Sequence, residues 1–218
     1  MSDFYSKQHR QFQNLRDTHK LADRLQEIIV ENQVSEQHRP FIESRDFFFL
    51  TTVDHRGYPT CSYKGGNTGL VRVLDPQTLV FPNYDGNGMF LSIGNIQGNA
   101  KIGMLFIDFE TPHRIRVHGD AFIQADDPLL YEYPGADMIV RVKISEIFIN
   151  CPRYIHRMHR AESSKYVPQQ GKDAPTPQWK RINTLQDALP ACDQGLTEKL
   201  GGTITPEEYG AMVMNGEG

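Results

Sequence analysis

The sequence has no run of apolar residues close to the roughly 20 needed to cross a bilayer, which argues against a membrane-spanning helix. Its first residues, MSDFYSKQHRQFQ, contain no apolar signal segment, so nothing points to secretion. Cysteine is scarce. Cys61, Cys151 and Cys192 are widely spaced, odd in number and outside any C-x-x-C, which argues against a disulfide framework and for a reducing compartment. The expected location is the cytoplasm. A basic excess is also missing. With 23 Lys and Arg against 27 Asp and Glu, the net charge of −4 leaves no footprint for nucleic acid or an anionic membrane.

Several chemical signatures are absent as well. Ser62, Ser92, Cys61 and Cys151 sit in no G-x-S-x-G elbow or other nucleophile context. Cys61 and Cys151 are expected to be small buried or half-buried residues. Cys151, His156 and His159 lack the dense ligand spacing of a zinc site, so they are expected to form a basic surface cluster and no metal is expected. Gly86-Asn-Gly88 is a Gly-x-Gly without the third glycine or the βαβ context of a dinucleotide fold.

What is present reads as mainly β. Residues 6–34 carry Phe12, Leu15, His19, Ala22, Leu25 and Ile29 at three- and four-residue steps, the pattern of a helix with a thin apolar stripe. Arg39-Pro40 closes that region. The run FFFLTTV at 47–53 and the segment 59–64 are strands joined by the turn Asp54-His-Arg-Gly57. A second hairpin follows at 70–74 and 78–81 across Asp75-Pro76. Later strands are expected at 101–108, buried on both faces, at 114–125 with a bulge or bend at Gly119, and at 138–144 with an extension at 147–149 beyond a kink. Six or seven strands in hairpins around one central helix suggest a barrel or a sandwich. Residues 165–180, rich in Pro, Gln and Gly, read as extended, and Thr205-Pro206-Glu-Glu208 reads as the capped start of a last helix.

The central stretch, FPNYDGNGMFLSIGNIQGN at 81–99, passes from strand through an Asn/Gly turn into a helix. Such a junction presents backbone N–H groups and a positive dipole end to an anion. Ser62 and Lys64 alternate along one strand and share a face, and Arg72 lies on the next strand. A hydroxyl and two cations beside that turn could neutralise a phosphate. Phe81, Tyr84, Phe90 and Tyr154 could flank a planar ring.

Four blocks in order, GYPTCSYKGG (57–66), VRVLDPQTLVFPNYDGNGMFLSIGNI (71–96), KIGMLFIDFETPHRIRVHGDA (101–121) and NCPRYI (150–155), resemble the FMN-binding split-barrel proteins related to pyridoxamine 5′-phosphate oxidase, in the branch of predicted flavin-nucleotide-binding proteins. The resemblance spans about residues 40–190. It implies a six-stranded antiparallel split barrel at 41–160. Residues 1–40 would be an N-terminal helical extension, and 161–218 an extended and helical tail packing on the barrel or on a partner. It also implies a homodimer with FMN at the subunit interface and a small-molecule substrate or electron donor. Matched by position, Ser62 and Lys64 would face the flavin and its phosphate tail. Pro82, Asn83, Tyr84, Asn87, Gly88 and Met89 would wrap the ribityl phosphate, and Arg153 and Tyr154 would border the cofactor. The resemblance names no catalytic acid or base. The C-terminal Arg-x-His that the B6 enzymes use on their substrate has no counterpart in the closing MVMNGEG, so the cofactor is implied rather than vitamin B6 oxidation. A flavin carrier or redox sensor, a deazaflavin in place of FMN, and a haem protein using His156 and His159 remain alternatives.

Overall fold

The structure, a computed structural model, describes residues 4–124 and 126–217. The chain divides into two compact units, 1–162 and 163–218. The first opens with two short helices, α1 (Lys7–Leu15) and α2 (His19–Ile29), where the periodicity predicts one. The break falls at Asp17, whose φ of 52° is left-handed and ends the helical hydrogen bonding. A two-residue strand, β1 (Val30–Glu31), leads to α3 (His38–Ser44). This helix was not foreseen. Pro40 occupies its first turn, where a missing N–H costs nothing.

The strands are β2 (Phe47–Val53), β3 (Pro59–Gly65), β4 (Arg72–Asp75), β5 (Thr78–Tyr84), β6 (Lys101–Asp108), β7 (His113–Gln124) and β8 (Ala136–Ile149), with α4 (Leu91–Gly98) between β5 and β6. They form one antiparallel, open sheet in the order β3-β2-β6-β7-β8-β5-β4, and β1 adds to β8. Six of the strands have seven or more residues, as a six-stranded split barrel requires, and β1 and β4 are short additions. The sheet is rolled. β2 and β5 are separated by β6, β7 and β8, which in a flat sheet would hold them about 19 Å apart at about 4.8 Å per strand. Yet the Phe48 and Phe81 rings lie 5.0 Å apart, and Phe48 stacks on Phe106 at 5.6 Å. The alternating strand residues turned inward, with Leu50, Met104, Val117 and Val140, fill a single core.

β6 alternates between buried and half-buried positions from Ile102 to Phe106, so most of it has one core face where the apolar run suggests two, and only at Ile107 is the other face buried as well. β8 runs unbroken through the expected kink, because a register shift opposite His118–Gly119 absorbs it. Gly119 is needed there. A Cβ would lie 2.5 Å from the Lys143 carbonyl oxygen, an atom of the paired backbone. Gly119→Ala should therefore cost about 1–3 kcal/mol in urea unfolding, the price range of overpacking. An unchanged midpoint would show that the bulge relaxes freely.

α3 grips the short strand β4: Arg39 donates to the Val73 carbonyl at 2.7 Å, and the Val73 N–H donates to Glu43 at 3.0 Å. α4 is tied to β2 by Asn95, which donates to the buried Thr52 hydroxyl at 3.0 Å. The second unit has its own frame. A buried Lys180–Asp193 pair at 2.8 Å sits among 3₁₀ turns. α5 (Leu196–Lys199) and α6 (Pro206–Met214) follow, and α6 starts at the reciprocal Thr205–Glu208 cap that the sequence signals.

Candidate functional site

Along β3 the half-buried positions are Thr60, Ser62 and Lys64, while Cys61 and Tyr63 point outward. The two-residue period places Ser62 opposite Leu50 and Lys64 opposite Phe48, so both project from the same face. Facing them is the β5–α4 turn. β5 runs three residues beyond its expected end, so Pro82 and Asn83 are strand residues opposite Ile139 and Met138. Proline is tolerated at this point because β4 pairs only as far as Val80, leaving one neighbouring strand. Asn83 donates to Asp137 at 2.8 Å, which holds the strand end.

The turn itself is tight. Gly88 has φ of 78°, and the Asn87 side chain accepts from the Met89 N–H at 3.1 Å. Phe90 takes a left-handed φ of 49° as the residue preceding α4, a conformation that costs an aromatic residue about 1–2 kcal/mol. No side chain caps α4, so its first N–H groups have no side-chain acceptor. Ser92, buried in the first turn of α4, lies with its Oγ 3.3 Å from that of Ser62.

Together β3 and this turn enclose a cleft of about 200 Å³. Of the expected residues, Ser62, Lys64, Asn83, Tyr84, Asn87, Gly88, Met89 and Phe90 line it, joined by Ser92. The cleft has one unusual charge. Lys64 is half-buried, and among the described residues no carboxylate pairs with it. Burial alone pushes its ammonium below the usual lysine range, with nothing opposing it. Burial also raises the Tyr84 phenol, against a smaller pull from Arg72.

Other expected residues lie elsewhere. Pro82 is buried within β5. Arg72 is not available to the cleft: its guanidinium pairs with Glu132 and sits 4.4 Å from the Tyr133 ring. Phe81 belongs to the core rather than to a ring site. Arg153 and Tyr154 are outside the cleft of their own chain. Tyr154 is 83% exposed, and the Arg153 guanidinium rests 5.9 Å from its ring. Cys61 and Cys151 are exposed, against expectation, because one faces outward on the edge strand β3 and the other leaves the sheet after β8. His156 and His159 lie in a segment without regular secondary structure, so their three-residue step is not one turn of a helix. Among the described residues no group of three His, Cys, Asp or Glu could hold a metal. Sequence reading underrated Ser92. Its position one helical turn past an Asn/Gly run was the available signal.

Residues 34–167, more than half of the chain, match the sequence model of the family described as pyridoxamine 5′-phosphate oxidase. The chain belongs to the pyridoxamine 5′-phosphate oxidase family. The family match contains β2 to β8 and the whole cleft, and the α1–α2 hairpin falls outside it. Among solved structures, the chain is similar to a candidate pyridoxamine 5′-phosphate oxidase from Lactobacillus delbrueckii, with 25% identity, 54% of this chain and 95% of that one covered, and a TM-score of 0.44. It is also similar to HupZ of Group A Streptococcus, with 19% identity, 54% and 99% covered, and a TM-score of 0.44. A third is an FMN-binding protein from Syntrophomonas wolfei, with 13% identity, 65% and 97% covered, and a TM-score of 0.42. No curated protein matches the chain. No helix among the described residues is long and apolar enough to cross a membrane.

Proposed function

We propose that this member of the pyridoxamine 5′-phosphate oxidase family binds FMN in the cleft between β3 and the β5–α4 turn, and that it serves as a cytoplasmic homodimeric oxidoreductase for a small molecule. The observation that carries the reading is Lys64. A half-buried ammonium without a counter-ion is costly, and an anionic ligand removes that cost. The remaining groups suit a phosphate. Ser62 and Ser92 offer hydroxyls 3.3 Å apart, and the uncapped start of α4 offers N–H groups. Tyr84, Met89 and Phe90 offer apolar surface beside them for a planar ring. Asn87 and Gly88 keep the turn closed so that the backbone approaches the ligand.

FMN would supply hydride or electron transfer through its isoalloxazine. The chain's own part is to neutralise the phosphate with Lys64, to orient it with Ser62 and the turn, and to exclude water with the apolar wall. Arg153 and Tyr154, exposed on their own subunit, are assigned to the cleft of the partner.

The test is an absorption spectrum of the purified protein before and after FMN and dithionite. Two flavin bands that bleach on reduction are expected. A protein that stays colourless with FMN would withdraw the roles of Ser62, Lys64 and the turn, and a Soret band would favour haem at His156 or His159. Turnover of NAD(P)H by the loaded protein separates an enzyme from a carrier.

A further inference from the structure

The α1–α2 hairpin has its apolar side on the wrong face for a unit that packs on its own barrel. The two helices are held to each other by polar contacts: Tyr5 donates to the Ala22 carbonyl at 3.1 Å, and Arg10 pairs with Asp23 at 2.6 Å. Neither helix has a buried residue. Phe12 and Leu15 on α1, and Leu21, Leu25 and Ile28 on α2, are 42–72% exposed. Within each helix their spacing of three or four residues makes an apolar stripe. Helices of nine and eleven residues are marginal in water unless such a stripe is covered.

A second apolar face is only partly covered: Phe47, Phe49 and Leu105 are half-buried on it, and Phe148 is buried. On the outside of the sheet, Tyr63 of the edge strand β3 is 63% exposed and stacks on Phe47 at 5.4 Å, beside Phe49. Strand register runs this face in one row through Tyr63, Phe49, Leu105, Arg116 and Phe148. At the far end of the row, Phe4 meets Phe148 at 5.7 Å, so the segment leading into the hairpin is anchored four strands away from the exposed Tyr63.

We propose that the hairpin is an arm that covers the outer face of β2 and β3 on a second copy of the chain. The inference rests on the homodimer reading and assigns its contact surfaces. A twofold exchange buries both patches of both copies at once, whereas pairing hairpin with hairpin would leave the sheet faces open. Charge favours the same partner. Residues 4–29 carry five cations and three carboxylates, a net of +2. The whole chain is at −4, so the rest of the chain holds −6. Each arm is therefore attracted to the body of another copy.

Two experiments on the full chain test this. In the first, Leu25→Glu with Ile28→Glu changes only exposed side chains, so the fold should be kept by circular dichroism. Sedimentation equilibrium should show a dimer for the parent and a dissociation constant at least about 100-fold weaker for the variant. In the second, Leu25→Cys is placed with Cys61 retained and Cys151 and Cys192 changed to Ser. Mild oxidation of mixed isotope-labelled and unlabelled chains should give an interchain 25–61 disulfide by peptide mass spectrometry. A dimer of unchanged strength with no 25–61 link overturns the arm while the homodimer stands. A 25–25 link overturns it in favour of paired hairpins. A parent that is monomeric at all concentrations overturns both the arm and the homodimer, with FMN binding read separately from the spectrum.

Discussion

Lys64→Ala should weaken FMN binding by about 10- to 100-fold, because a charge-assisted hydrogen bond contributes about 1.5–3 kcal/mol and each 1.4 kcal/mol is tenfold. Fluorescence quenching of FMN titrated against the two proteins measures it. The opposite effect is expected on the empty protein. Lys64 is half-buried, its one resolved influence is desolvation, and among the described residues no carboxylate offsets it. Lys64→Met keeps the length of the side chain and removes the uncompensated charge, so it should raise the melting temperature of the FMN-free form while lowering FMN affinity. The pH dependence has a definite sign. The folded-state pKa lies below the unfolded value of 10.5, so between the two the unfolded chain binds more protons. Through this group, stability of the empty protein rises as pH climbs through that window, and the rise is absent in Lys64→Met. A bound phosphate, by stabilising the ammonium, should flatten it. Equal FMN affinity in wild type and Lys64→Ala would remove Lys64 from the site.

Phe48→Ala should destabilise the first unit by about 3–5 kcal/mol, the range for deleting a large buried aromatic residue. Phe48 is fully buried and touches both Phe81 of β5 and Phe106 of β6. It joins β2 to β5 across the roll of the sheet, so the cavity left by alanine cannot be filled from one side. Phe48 also lies opposite Lys64 across the β2–β3 ladder. Loss of its ring should therefore weaken FMN binding as well as folding, whereas Phe48→Leu, which keeps most of the volume, should cost less than half as much. Urea unfolding followed by circular dichroism gives both values. A loss below about 1 kcal/mol for the alanine variant would mean that the roll of the sheet is not held through this residue.

Much of the architecture was legible in residue order. FFFLTTV carries alternating side chains that can serve one core face, and its strand has the expected bounds. Thr205, Pro206 and Glu208 specify a helix start by short-range chemistry alone, and the reciprocal cap forms as read. Gly119 was readable as a bulge because a glycine inside a long strand pattern marks a close backbone approach. The one-helix expectation for residues 6–34 failed because periodicity is blind to a single left-handed residue, Asp17. Arg72 was placed near the phosphate on strand order, but its partner Glu132 is 60 residues away in sequence, and no local pattern could reveal it.

The sequence by itself determined that this is a mainly β chain with no membrane-spanning helix, and it determined which residues share a strand face and where the Asn/Gly turn lies. Those properties follow from local backbone preference and from the two-residue period of a strand. Only the tertiary structure decided that Ser62 meets Ser92, that Lys64 is left without a counter-charge among the described residues, that Arg72 is taken by Glu132 and that the hairpin turns its apolar residues outward. Each of these depends on which distant strands the roll of the sheet brings together, and rolling is driven by non-directional burial of the whole core. Spacing marks which face of a strand is buried, but not which distant strand packs against it.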